Sequence, residues 1–216
     1  MKCCKLFNKQ DLLDIEKEVA SVERVTSGEI VPVITNKSSK YRSSELVASI
    51  LFSYLFVFIV YELNSFLFWN NKISIFGFII ISFVGVILAL LMFRSDLLKK
   101  IIINKKIMDQ KVHDSAFSVF YKYGVNKTKN KTGILIYISL FEKKVVVIAD
   151  EGINSKVKQT DWNNVVDIII KGIRTKKAKQ GIIDGVESCR SLLKESFPVL
   201  SDDVNELNNS IIIIDN

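Results

Sequence analysis

The chain has 216 residues, 49% of them hydrophobic, with 30 Lys and Arg against 23 Asp and Glu and a net charge of +7. That length allows one or two domains with cores of their own. Three cysteines and one histidine exclude a disulfide framework and a His/Cys metal cluster: Cys3 and Cys4 are adjacent, Cys189 lies in a helical pattern, and there is no CxxC. The basic residues are scattered and lack interleaved aromatics, which argues against nucleic acid as a partner.

The first element is a helix. Asn8 is placed to cap it, with Asp11 in the capping-box position and Phe7 and Leu12 as a hydrophobic staple. Leu12, Ile15, Val19 and Val22 follow at helical spacing, and Gly28 is expected to stop the helix by taking a left-handed conformation. "EIVPVIT" then reads as a strand. Its Pro32 cannot donate to a ladder, so the strand is expected at an edge, or with Pro32 at an unpaired position. One helix and one strand cannot make a core.

Two apolar runs come next. No charged residue occurs from Leu46 to Tyr61, or from Ile73 to Phe93. With Glu62 at the far interface, spans of about 46–63 and 73–93 are long enough to cross about 30 Å of hydrocarbon. The region 45–94 is therefore expected to be a transmembrane hairpin. It starts too far into the chain to read as a secretory signal. Lys37, Lys40 and Arg42 precede it, and Arg94, Lys99, Lys100, Lys105 and Lys106 follow it. The connecting loop carries only Glu62 and Lys72, with Phe66, Phe68 and Trp69 suited to an interface. Charge asymmetry of this kind places both termini in the cytoplasm and the loop outside. The expected location is the cell's inner membrane, with membrane lipid as one partner and some attraction to anionic headgroups.

After the hairpin, about Arg94 to Tyr123 reads as one helix with Ile107, Val112, Ala116, Phe117 and Phe120 on its apolar face. His113 lies in the polar stretch "QKVHDS" and reads as a solvated helix residue rather than a catalytic base. "GILIYISLFEKKVVVIAD" is a β-hairpin turning at Phe141 to Lys144. Two amphipathic helices follow: one carries Trp162, Val165, Val166, Ile169, Ile170 and Ile173, and the other starts near Gly181 and ends before Pro198. Residues 201–216 form a polar tail whose terminal "IIIIDN" is short enough to dock as a strand or lie on the membrane. Residues 1–36 and 95–200 are thus expected to make one α/β domain interrupted by the hairpin.

The stretches "VTSGEIVPVI", "KTGILIYISLFEKKVVVIADEGI", the Trp162 helix, "GIIDGVESCRSLLKESFP" and "DDVNEL", in that order, resemble the TPM domain family, in particular a bacterial branch of predicted membrane proteins. The resemblance covers nearly all the chain outside the hairpin. It implies an α/β/α sandwich with a small central sheet. Some family members bind calcium and some have been assigned phosphatase activity. In them the second hairpin strand leads into a Gly-x-Gly-Leu-Glu turn, and a Gly-Asp pair precedes the last helix. Here the turn is "DEGIN", with Asp150 and Asn154 in place of glycine and glutamate, and Lys177 and Ala178 align with the Gly-Asp pair.

Calcium takes several hard oxygen ligands. Asp150 and Glu151 are the candidate carboxylates, with Asp161 or Asp184 able to approach them, and a lysine near Lys177 would oppose a cation. The alternative is that Asp150 and Glu151 simply favour the N-terminus of the next helix. The sequence supports two functions: a membrane-tethered binding or assembly module for another protein, and a divalent-metal-dependent phosphatase using the "ADEG" turn. No activated nucleophile, Walker loop or metalloprotease helix is legible.

Overall fold

The computed structural model describes residues 6–67, 74–93, 95–199 and 205–214. Cys3, Cys4, Phe68, Trp69, Lys72 and Arg94 lie outside the described residues. The chain divides into two units, residues 1–39 with 109–216 and residues 40–108. The chain therefore re-enters the first unit at Asp109, inside a helix, rather than at residue 95.

In the first unit, helix α1 (Lys9–Glu23) opens on the expected capping box: Asn8 Oδ1 accepts from Asp11 N at 2.7 Å and Asp11 Oδ2 accepts from Asn8 N at 2.9 Å. It ends at Arg24 in a right-handed conformation, four residues before Gly28. Gly28 is not left-handed. It is small because a side chain there would press on Leu193, 3.2 Å away.

Strand β1 (Glu29–Thr35) pairs in parallel with β2 (Gly133–Ser139) over seven residues, and β2 pairs antiparallel with β3 (Lys144–Ala149). The turn between β2 and β3 bends through Lys143, at φ +53°. Strand β4 (Ile212–Ile214) pairs in parallel with Val33 to Thr35, giving the order β3-β2-β1-β4. So β1 is an interior strand, and the tail supplies the edge. Pro32 fits because of backbone parity. Glu29 N donates toward β2, to Thr132 O, whereas Ile30 N donates the other way, to Glu23, and Asn36 N donates to Ile214 O. Pro32 has the parity of Ile30 and Asn36, and it lies one residue short of the β4 ladder. No N–H is needed there.

A parallel pair needs a crossover. Helix α5 (Lys105–Lys122) supplies it, and the apolar insertion lies within the same connection. Alternating residues then build two cores. Ile30, Ile34, Ile134, Ile136, Val145 and Val147 face α1, Trp162, α7 (Asn163–Arg174) and α8 (Ala178–Leu193). Val31, Val33, Leu135, Tyr137 and Val146 face Val112, Ala116, Val119 and Phe120 of α5. This is the expected α/β/α arrangement around a small sheet. Helices α7 and α8 approach so closely that a Cβ on Gly172 would lie 2.5 Å from Gly181 Cα, and overpacking of this kind costs about 1–3 kcal/mol.

The tail is held by carboxylates rather than by β4 alone. Glu16 accepts from Ile211 N at 3.2 Å, Glu29 accepts from Glu206 N and Leu207 N, and Glu23 accepts from the Asn209 amide. These contacts also fix direction: from Asn209 to Ile211 the tail moves from Glu23 toward Glu16, so β1 and β4 run antiparallel to α1.

In the second unit, α2 (Arg42–Leu67) and α3 (Ile75–Met92) pack against each other. Ser53 Oγ donates to Ser82 O, and Tyr61 meets Phe78, so the pair is antiparallel. Gly85 sits against Phe56 and Ser53. Both helices are long and apolar enough to cross a membrane, and only 11% of each apolar window is buried. Phe58, Phe66, Phe76 and Phe83 point outward.

The single helix expected from Arg94 to Tyr123 is two. Helix α4 (Asp96–Ile102) stops at Ile103, which is extended, and Asn104 caps α5 by accepting from Lys106 N at 2.9 Å. Ile107 and Phe117 are exposed, leaving the core contacts to Val112, Ala116 and Phe120 with Val119.

Candidate functional site

Asp150 follows β3 directly and caps a one-turn helix, α6 (Glu151–Asn154). Its backbone N–H donates to Gly133 O at 2.9 Å, and its Oδ1 accepts from Glu151 N at 2.8 Å. Its Oδ2 is buried and has no hydrogen-bond partner among the described residues. Asn154 closes the turn by donating its amide to Ala149 O at 2.6 Å. Glu151 is exposed.

The turn is pressed against the loop before β2 at Gly152, and that loop packs on the start of β2 at Gly133. A side chain on Gly133 would run into Val125 O, and one on Gly152 would run into Asn130 O and lie 2.6 Å from Lys131 O. The carbonyls of Asn130 and Lys131 thus face the turn at Gly152.

The other expected residues go elsewhere. Asp161 accepts from Lys158 N at the 3₁₀ turn before α7, and Asp184 bonds Gln180 on α8. Among the described residues, no three His, Cys, Asp or Glu side chains come together as a metal site. Calcium takes about six to eight oxygens, and the unpartnered carboxylate oxygen of this turn is Asp150 Oδ2. The donor set falls short of that shell.

Lys177 does not bear on the turn at all. It caps the start of α8, whereas Lys156, close after the turn, donates to Ser196 O just past the end of α8. At about 1.5 Å per residue, the 16 residues of α8 separate the two by roughly 24 Å.

Residues 100–192 match the family model of the TPM domain. The chain carries a TPM domain. Its match begins after the apolar helices, so β1 before it and β4 after it complete the sheet from outside the matched stretch. Among solved structures, the chain is similar to the BA42 protein from the psychrophilic bacterium Bizionia argentinensis, determined by NMR. The two are 21% identical, with 96% of this chain and 95% of that one covered and a TM-score of 0.58. At that identity the likeness is one of fold. No curated protein matches.

Two polar features of the TPM domain were not read from the sequence. At the end of β1, Ser38 Oγ bonds Ser139 Oγ at 3.0 Å and meets Tyr137 Oη at 3.2 Å, and Glu142 accepts from Ser38 N and from Ser139. Ser115 of α5 reaches the same Tyr137 hydroxyl at 2.7 Å. This network ties β1, β2 and α5 where the chain leaves the domain. The second is Glu23. Burial, with Glu29 nearby, pushes its carboxyl up to about 8, against the opposing bond from Ile30 N. Both features join residues far apart in sequence, which no local pattern signals.

Proposed function

We propose that this chain is a membrane-tethered TPM domain that serves as a binding or assembly module for another protein, with α2 and α3 crossing the cell's inner membrane and both termini in the cytoplasm. The observation that supports the tethered topology in this reading is the parallel pairing of β1 with β2. A strand from before the apolar helices and one from after them share a sheet, so both ends of the hairpin return to one compartment. Lysine and arginine asymmetry makes that compartment the cytoplasm. The exposed apolar faces of α2 and α3 support a lipid environment.

The test is labelling by an impermeant thiol reagent in intact cells, with Cys3 and Cys4 replaced by serine. Asn70→Cys should label and Ser39→Cys should not. The opposite pattern would defeat the orientation.

A second reading, a divalent-metal-dependent phosphatase at the Asp150 turn, is favoured by one observation, the unpartnered Asp150 Oδ2. Bound ion would stabilise the fold by about 2.7 kcal/mol at a hundred times its dissociation constant. Because the oxygen shell is thin, we expect the melting temperature to stay unchanged in millimolar calcium or magnesium. A rise of several degrees that vanishes in Asp150→Ala would make the phosphatase the better reading.

A further inference from the structure

The turn between α7 and α8, "RTKKAKQ", gathers cations in excess of the acids around it. Lys171, Arg174, Lys176 and Lys177 are all exposed, and none has a carboxylate partner among the described residues. Of the nearby acids, Asp11 and Asp14 hold Lys179 at 3.3 and 2.6 Å, whereas Asp184 bonds the neutral Gln180 and lines a groove with Lys171 and Lys177, one negative charge against four positive. Beside the turn lies a cleft of about 440 Å³ with Leu6, Ile173 and Ala178 along its apolar wall and Lys176 and Lys177 at its rim. Lys176 is held at φ +62°. The surface thus offers positive charge next to a greasy recess.

Its place in the domain gives this surface a partner. Lys179 binds the first turns of α1, and α1 runs antiparallel to β1, so the α7–α8 turn lies at the end of the sheet where β1 finishes. The chain leaves the domain there, after Ser39, and returns there, at Asp109, which pairs with Lys144 at the start of β3. Lys37 and Lys143 belong to the same end, the former over the Phe141 ring at 4.2 Å. If the apolar helices cross a membrane, this is the end from which both connections run to it.

We propose that the α7–α8 turn docks on the anionic phospholipid headgroups of the membrane that the hairpin crosses. The proposal rests on the tethered reading above. The lysines and Arg174 meet headgroup phosphates, and the apolar wall of the cleft takes the glycerol and upper acyl carbons. Each basic side chain near an anionic surface contributes enough to change the docked-to-undocked ratio about fivefold, and the attraction is screened by salt.

The experiment uses the full chain in lipid nanodiscs with Cys3 and Cys4 replaced by serine. Cys189 can stay, since it is fully buried and its thiol is pushed up to about 12. A fluorophore is placed on Thr175→Cys, or on Glu195→Cys at the far end of α8, and quenched by nitroxide carried on the lipid headgroups. Discs of phosphatidylcholine alone are compared with discs containing phosphatidylglycerol. Quenching at 175 that requires phosphatidylglycerol, fades with added salt, is absent at 195, and is lost when Lys171, Arg174, Lys176 and Lys177 are changed to glutamine is the expected result. Equal signals in the two lipids, or equal signals at 175 and 195, would overturn the docking while leaving the tether intact. Failure of the chain to enter the discs would overturn both.

Discussion

Removing residues 1–39 should leave a remainder that no longer unfolds cooperatively. Strand β1 lies between β2 and β4, and Ile30, Val33 and Ile34 are fully buried, with Val31 nearly so. Burying each such side chain is worth about 1.5–3 kcal/mol. Four of them approach the total of about 5–15 kcal/mol by which domains are stable. The loss also strands the ladder groups of β2 and uncovers both cores, since β1 contributes to each. Circular dichroism of the truncated chain in detergent should show helix retained in α2 and α3 without a sigmoidal denaturant transition for the rest. A truncated chain with an unchanged midpoint would show that β1 adds little.

The second large effect concerns Glu23. Its carboxyl is raised from 4.5 to about 8, chiefly by burial, so the folded protein holds a proton there that the unfolded chain releases. The stabilisation is therefore complete below about pH 4.5 and is lost as pH rises through about 8, at up to about 1.4 kcal/mol per pH unit. Above that, Glu23 and Glu29 both carry charge beside the segment 206–211 that they hold. Glu23→Gln retains an acceptor for Ile30 N, gives up the one for the Asn209 amide, and does not titrate. The variant should be nearly flat between pH 5 and 9 in thermal unfolding, and more stable than the parent at pH 9. Amide exchange at Leu207 and Ile211 should rise with pH in the parent beyond the intrinsic rate, and the variant should suppress that rise. Parallel pH curves for the two proteins would remove Glu23 as the cause.

Local chemistry made much of the fold legible. The Asn8–Asp11 capping box, the apolar runs behind α2 and α3, and the β2–β3 turn are each written in a few consecutive residues. Expectations stayed open or went astray where distant residues decide. Pro32 left an edge strand or an unpaired position open, and the distant β4, whose ladder begins one residue past it, decides for an unpaired position in an interior strand. Gly28 suggested a helix stop, but the constraint there is Leu193, more than 160 residues away. Asn104 is an N-cap signal that a run of mixed apolar and basic residues hid, so α4 and α5 read as one helix.

The site was legible only in part. That Asp150 favours a helix N-terminus follows from its type and position. Its buried, unpartnered Oδ2 is a matter of tertiary packing, as is the approach of Asn130 and Lys131 to Gly152. Lys177 aligns with a family position and was expected near the turn, whereas the length of α8 puts it at the other end of the domain.

The central claim is that the segments before and after the hairpin fold as one domain. Replacing residues 42–103 by a flexible Gly/Ser linker, which keeps Asn104 as the cap of α5, tests it most directly by scanning calorimetry. The account predicts a soluble protein with a single transition whose calorimetric and van't Hoff enthalpies agree. Two separate transitions, or one transition left unmoved when residues 1–39 are then deleted, would contradict it.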